Sequence, residues 1–184
     1  MTGEKRAEIL SNEKELQNID VVYTSNCVRT LQTAKYLLEK QNLKVNIDER
    51  FDERRPGKPN SDKVPDWYER QFFDENYKTE GGESQAEVRQ RMSEAFEEVV
   101  KDNKGKRIAI FSHGNAITFF LLKWCKLESV NTNRNLCLSF NNKIVFNKRI
   151  NSPDVFKITL NDKNEVIDIE NIEFEDLDFD DFNK

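Results

Sequence analysis

The sequence predicts an α/β protein built as a three-layer sandwich, with helices on both faces of a mostly parallel central sheet. Two observations carry the prediction. Apolar strands and amphipathic helices alternate along the chain as strand, helix, strand, irregular insertion, helix, strand, helix, strand, the order expected when helical crossovers join parallel strands. Within this order Ile108, Ala109, Ile110 and Phe111 form an unbroken apolar run, which reads as a strand covered on both faces. The 184 residues suffice for one such domain and are too few for two.

The elements follow from local chemistry. Gly3 to Gln17 is rich in helix formers, with Ala7, Leu10 and Leu16 on its apolar side, so it reads as a surface helix. Ile19 to Tyr23 reads as a short strand, and Thr24, Ser25 and Asn26 as candidate caps for a helix from Cys27 to Gln41. Val45 to Ile47 reads as another short strand. The stretch from Arg50 to Gly82 holds three of the four prolines and an aromatic, charged segment, Trp67 to Tyr77, able to form a short helix. A long irregular insertion in a compact domain is usually a functional lid or disordered, and the aromatics favour an ordered lid over about 54–82. After Glu83 and Ser84, Val88, Met92, Phe96 and Val99 recur at helical spacing up to Lys104 and Gly105. The run Ala116 to Trp124 reads as a helix. Asp154 to Leu160 and Glu165 to Ile172 read as strands joined by an Asn161–Asn164 turn. Residues 1–172 thus form the expected single domain, and 173–184 an acidic, flexible tail carrying Phe174, Leu177, Phe179 and Phe182.

Composition narrows the function. Charged residues make up 34% of the chain and the net charge is -5, which argues against non-specific nucleic-acid binding while leaving room for a local basic pocket. Cys27, Cys125 and Cys137 are odd in number and lack CxxC or Cys/His spacing, so neither a disulfide framework nor a zinc site is expected. Met1 to Leu10 is polar and no run approaches membrane-spanning length. A cytoplasmic protein with reduced thiols, no membrane partner, no metal and no cofactor is expected.

The candidate chemistry gathers around His113, the only histidine, at the carboxyl end of the central strand, where ligands bind in parallel sheets. A lone histidine at a strand end is commonly structural. Gly114 points instead to close backbone approach, and the N-terminus of the helix that follows the Gly114–Asn115 turn to unpaired N–H groups that favour an anion. Arg29, at the start of the helix after the first strand, is either a solvated helix arginine or a guanidinium on the same sheet edge, shaped for bidentate contact with phosphate. Glu53, beside Arg54 and Arg55, reads as a surface salt bridge or as a general acid over a phosphate site. Glu83 sits where a helix N-terminus favours a carboxylate in any case.

Together SNCVRTLQTA with Arg29, FDERRPG with Glu53 and Arg54, GGES with Glu83, and IFSHGNAI with His113 resemble, in content and order, the histidine phosphatase superfamily that includes the cofactor-dependent phosphoglycerate mutases. The resemblance extends from Gly3 to Ile172 and implies a phosphoglycerate mutase-like fold acting on a small phosphorylated substrate or inorganic phosphate. By this resemblance Arg29 binds the phosphoryl group, His113 stabilises its equatorial oxygens and Glu53 protonates the leaving oxygen, with Arg54, Gly114, Asn115 and Glu83 among the substrate-binding residues. Such a division suits phosphoryl transfer, where positioning and charge stabilisation do most of the work.

One departure stands out. The family's Arg-His-Gly motif, whose histidine takes up the phosphoryl group, does not occur in this sequence, and His113 is already assigned. Met1 to Ala7 looks like the turn and helix that follow the motif, so the first strand is expected to be absent and its neighbours to have unpaired edges. Truncation is the favoured reading, because the other pocket residues remain. The sequence therefore leaves two classes: a phosphomonoesterase, or alternatively a mutase, whose parent form holds the missing histidine; and a non-catalytic module that binds phosphorylated ligands. The lid departs from the mutase pattern after Arg55, which favours a phosphatase.

Overall fold

The computed structural model describes residues 2–58, 67–131 and 133–174, with the backbone alone at Trp67. The expected lid residues 59–66 and tail residues 175–184 lie outside the described residues. In chain order the elements are α1 (Gly3–Leu10), β1 (Val21–Thr24), α2 (Val28–Gln41), β2 (Val45–Ile47), α3 (Trp67–Phe73), α4 (Gln85–Asp102), β3 (Ile108–Phe111) and α5 (Gly114–Leu121). Five strands follow: β4 (Lys126–Val130), β5 (Asn135–Phe140), β6 (Lys143–Arg149), β7 (Val155–Leu160) and β8 (Val166–Ile172).

The parallel sheet has the order β2-β1-β3. Because side chains alternate across a strand, its two faces feed two cores. Val22 and Ala109 pack with Leu10, Leu16 and Leu37 of the α1/α2 side, whereas Tyr23, Ile108 and Ile110 pack against the core built from α4 and α5, including Met92, Val99, Phe119 and Phe120. These are the three expected layers.

The remaining strands are antiparallel, in a β4-β5-β6 meander and a β7-β8 hairpin. The hairpin and its Asn161 to Asn164 connection match the sequence reading; the turn closes through Asn164 N to Asn161 O at 2.9 Å. The meander over 126–149 was not anticipated. Its alternation is broken by register shifts between Leu127 and Ser129 and between Leu138 and Ser139, yet Leu136, Leu138 and Phe146 are buried in the core shared with α5.

Several boundaries differ from expectation. The first helix stops at Leu10 rather than Gln17: Ser11 Oγ and Asn12 Nδ2 both donate to the Glu8 carbonyl, and Gln17 Nε2 donates to the Ser11 and Glu13 carbonyls. Polar side chains thus satisfy the terminal acceptors that another turn would need. A single 3-10 turn, Lys14–Leu16, follows and buries Leu16. The helix expected from Ala116 to Trp124 begins at Gly114 and ends at Leu121. In contrast, α4 carries the full Ser84/Glu87 capping box.

The described parts of the insertion are tied down at both ends. Glu83 N donates to Arg55 O at 2.9 Å and Lys58 N to Glu80 O at 3.0 Å. Gly57 has φ +71° and a Cβ there would lie 2.6 Å from the Gly82 nitrogen, so the two strands of chain can approach only with glycine. Helix α3 plugs Phe72 into the core, edge-on to Phe119 at 5.2 Å, while Phe73 stays exposed. Phe72 therefore anchors the segment.

Candidate active site

The carboxyl ends of β1 and β3 are in parallel register, Thr24 beside Phe111, so the residues that follow them emerge side by side. Ser25 N donates to Phe111 O at 3.0 Å and brings the start of α2 against His113. The result is a direct contact: Arg29 Nε donates to His113 Nδ1 at 2.9 Å, while Ser25 Oγ lies 2.8 Å from Nε2. Arg29 is exposed and His113 is 6% exposed, so the pair has one wet and one dry member. Burial, followed by the Arg29 guanidinium and with a smaller push from Arg91, lowers the His113 pKa from 6.5 to about 4, against a weaker pull from Asp52. The ring is neutral at pH 7.

His113 is also the N-cap residue of α5, without a side-chain cap bond. The orphan N–H groups of this helix are met in part by Glu53: Oε1 accepts from Ala116 N at 3.1 Å and from Arg54 N at 2.9 Å. The N–H groups of Gly114 and Asn115 precede the first intrahelical bond, next to His113. A Cβ on Gly114 would meet Ile150 Cγ2 at 3.3 Å, which fixes the loop before β7 over the site.

Four further residues, missed by sequence reasoning, hold this arrangement. Asp52 Oδ1 accepts from Asn26 N at 2.7 Å, joining the Glu53 loop to the start of α2. Arg91 NH1 donates to Arg50 O at 2.7 Å and NH2 to Glu53 O at 3.3 Å. The other two, Ser25 and Thr30, are buried and hydrogen-bonded at 2.8 Å. The sequence offers Ser25 as a helix cap, whereas the N-cap of α2 is Cys27 and Ser25 Oγ turns to His113. The signal for Arg91 was its place on the same helix as Glu83's neighbours, too weak without the fold.

Arg29, Glu53, His113 and Gly114 line one cavity. Arg54 and Glu83 are adjacent but turned elsewhere. Arg54 is buried, with Nε donating to Glu83 O at 2.9 Å. The Glu83 carboxylate receives the Arg91 fork, Nε to Oε1 at 2.9 Å and NH2 to Oε2 at 3.1 Å, and the Arg55 amide at 2.9 Å. Burial would raise its pKa, but these partners more than offset that and hold it below the usual carboxylate range.

The cavity is large, about 870 Å³, and runs from this site along the whole length of β3 and β7. Among the described residues β3 pairs only with β1, and β7 only with β8. Consecutive residues of both strands line the space, Ile108–Phe111 on one side and Val155–Leu160 on the other, as two facing edges would. The faces match as well. Val155 and Phe111 pack on the α1/α2 core, Phe156, Ile158 and Ile110 on the α4/α5 core. The two strands run in opposite senses, since Ile150 lies at Gly114 while Lys157 pairs with Glu15, whose carbonyl accepts from Arg107. The space is therefore a gap in one sheet layer.

Among the described residues, no cluster of three or more His, Cys, Asp or Glu could hold a metal ion, and no helix is long and apolar enough to cross a membrane. One arginine, one neutral imidazole, one carboxylate and a helix N-terminus at a sheet's carboxyl edge make an arrangement chemically suited to an anionic, oxygen-rich group.

The family model for the histidine phosphatase superfamily (branch 1) matches residues 1–143, and the chain belongs to that family. It is 32% identical over 120 residues to phosphoserine phosphatase 1 of Hydrogenobacter thermophilus, covering 60% of this chain and 56% of that protein. It is 30% identical over 123 residues to the probable phosphoglycerate mutase GpmB of Yersinia enterocolitica, covering 62% and 57%. The chain thus spans little more than half the length of these relatives. Among solved structures, mycobacterial glucosyl-3-phosphoglycerate phosphatase with inorganic phosphate matches with TM-score 0.59 and 20% identity, over 73% of this chain and 76% of that one. Bacillus stearothermophilus YhfR matches with TM-score 0.56 and 20% identity, over 79% and 82%. These two show the shared fold.

Proposed function

We propose that the Arg29–His113–Glu53 site binds the phosphoryl group of a small phosphomonoester and that the catalytic form of the protein hydrolyses the ester through a phosphohistidine. The observation that carries this is the Arg29 Nε to His113 Nδ1 bond at 2.9 Å beside the α5 N-terminus: a cation, a ring and free N–H groups converge where a parallel sheet binds ligands. Arg29 supplies charge to the phosphoryl oxygens. Glu53, with Oε1 committed to two backbone N–H groups, offers Oε2 to protonate the leaving oxygen. Arg54, Asn115 and Glu83 complete the proposed substrate-binding set, Glu83 by holding the loop that carries Arg54 and Glu53.

The sequence holds one histidine, and in this proposal His113 is taken up in stabilising the phosphoryl oxygens beside Arg29. We therefore read this chain as binding phosphate without turning substrate over. The accepting imidazole belongs, in this reading, to an Arg-His-Gly segment lying extended in the gap between β3 and β7. Two matched, facing strand edges support that placement. A ring nitrogen of that histidine forms the N–P bond as the ester P–O bond breaks, and water later cleaves the N–P bond to release phosphate.

The test compares the chain as given with a chain extended at its N-terminus by an apolar strand and Arg-His-Gly. Both are assayed for aryl phosphate hydrolysis and for inorganic phosphate binding by calorimetry. Hydrolysis confined to the extended chain, reduced at least about 100-fold by Arg29→Ala, is the expected result. Phosphate binding without turnover in either chain would instead favour a phospho-ligand binding module, and no binding in either would sink the proposal.

A further inference from the structure

We infer that Ser25 and Thr30 form a hydroxyl relay that dedicates His113 Nε2 to the protein, fixing the ring's tautomer independently of Arg29 and leaving Nδ1 as the nitrogen that faces a ligand. The protons of the relay are fixed from the backbone outward. Thr30 Oγ1 lies 2.7 Å from Cys27 O and 3.4 Å from Ser25 O, both acceptors only, so its proton is spent on a backbone carbonyl. Thr30 Oγ1 must then accept at its 2.8 Å contact with Ser25 Oγ, which uses the Ser25 proton. Ser25 Oγ in turn can only accept at its 2.8 Å contact with His113 Nε2, and its second lone pair takes Cys27 N–H at 3.3 Å. A neutral imidazole carries one proton, so it resides on Nε2 and Nδ1 is bare. Arg29 Nε, a donor without acceptor capacity, meets that bare Nδ1 from the other side.

The relay starts at a backbone carbonyl in the first turn of α2, the same turn that carries Arg29, and its two hydroxyls are buried. It therefore has no freedom to reverse without leaving a buried donor or acceptor unmet, a cost of about one hydrogen bond or more. Arg29, by contrast, is exposed and free to turn toward an incoming anion. When it does, the ring keeps its orientation and tautomer through Nε2–H, and Nδ1 takes up a proton to meet the anion's oxygen. Asp52 on the neighbouring loop favours that proton; Arg91 on α4 opposes it. Ser25 and Thr30 are positioning residues in this scheme.

The lone histidine allows a direct test. Two-bond nitrogen–proton spectra of ¹⁵N-histidine-labelled protein at pH 7.5 report which nitrogen of His113 carries the proton. The comparison is made in an Arg29→Met background, where the relay acts alone. Arg29→Met should retain the Nε2–H tautomer; Arg29→Met/Thr30→Val should shift the tautomer ratio about fivefold or more toward Nδ1–H, the effect of one hydrogen bond; Arg29→Met/Thr30→Ser should restore it. Nδ1–H in Arg29→Met, or identical spectra with Val and Ser at position 30, would overturn the relay. The role toward ligand rests on the phosphate-site reading and is tested separately: inorganic phosphate added to the unsubstituted protein should move the Nδ1 resonance more than Nε2. A larger movement of Nε2 would overturn the assignment of Nδ1. Absence of any phosphate response would refute the phosphate site and leave the tautomer comparison to decide the relay.

Discussion

His113 makes the stability of this protein depend on pH in a way that one substitution isolates. In the unfolded chain its imidazole titrates near 6.5, and in the folded protein near 4, because burial and then Arg29 disfavour the cation. The folded pKa lies below the unfolded one, so the unfolded state binds the proton first as pH falls. Above pH 6.5 the residue is neutral in both states and contributes no pH dependence. Between 6.5 and 4 stability is lost, and below 4 the loss levels off. At pH 5 the unfolded histidine has passed its pKa by 1.5 units, and at 1.36 kcal/mol per unit the cost is about 2 kcal/mol. That is a substantial part of the stability of an ordinary domain. The assay is urea unfolding of the native chain and of His113→Gln at pH 7.5 and pH 5.0. Carboxylates titrate alike in both proteins, so the difference between them should fall by about 2 kcal/mol on acidification, with the native chain the loser. A difference that stays constant within 0.5 kcal/mol would refute both the depressed pKa and the dry, Arg29-facing environment that explains it.

Two other outcomes follow from the supports of the site. Arg91→Ala removes the partner of a buried carboxylate and releases the Arg50 and Glu53 carbonyls; about 3 kcal/mol of stability should be lost by chemical denaturation, and the parallel change Glu83→Gln should cost less, since it leaves no buried charge on the Glu83 side. Ser84→Ala breaks the capping box at the start of α4 and should cost about 1 kcal/mol, with inorganic phosphate affinity unchanged, because Ser84 lies outside the cavity wall.

Much of the fold was legible because the periodicities were clean. The apolar run Ile108–Phe111 is a parallel strand, paired with β1 alone among the described residues and half-buried rather than central, and Val88, Met92 and Val99 lie on the buried face of α4. The burial of that helix face follows from its spacing. The meander over 126–149 was illegible for the opposite reason: its alternation is interrupted where the ladders shift register at Leu127/Ser129 and Leu138/Ser139, with Leu138 and Ser139 buried in succession and Ile144 exposed. The first helix was overextended because propensity counts Glu and Lys as helix formers, whereas Ser11, Asn12 and Gln17 take its last carbonyls.

The same division holds for the site. By itself the sequence determined that one imidazole exists, that it follows an apolar strand and precedes a glycine and then a helix, and that Arg29 and Glu53 each follow a strand. Local chain chemistry is sufficient for each of those statements. Only the tertiary structure decided which atoms meet. That Arg29 reaches Nδ1 and Ser25 reaches Nε2 depends on the parallel pairing of β1 with β3, 84 and 88 residues apart in the chain. That Glu83 holds Arg91 rather than lining the cavity depends on helix α4 packing beneath the Glu53 loop. Hydrogen-bond direction and burial are properties of the assembled layers, and no spacing along the chain contains them.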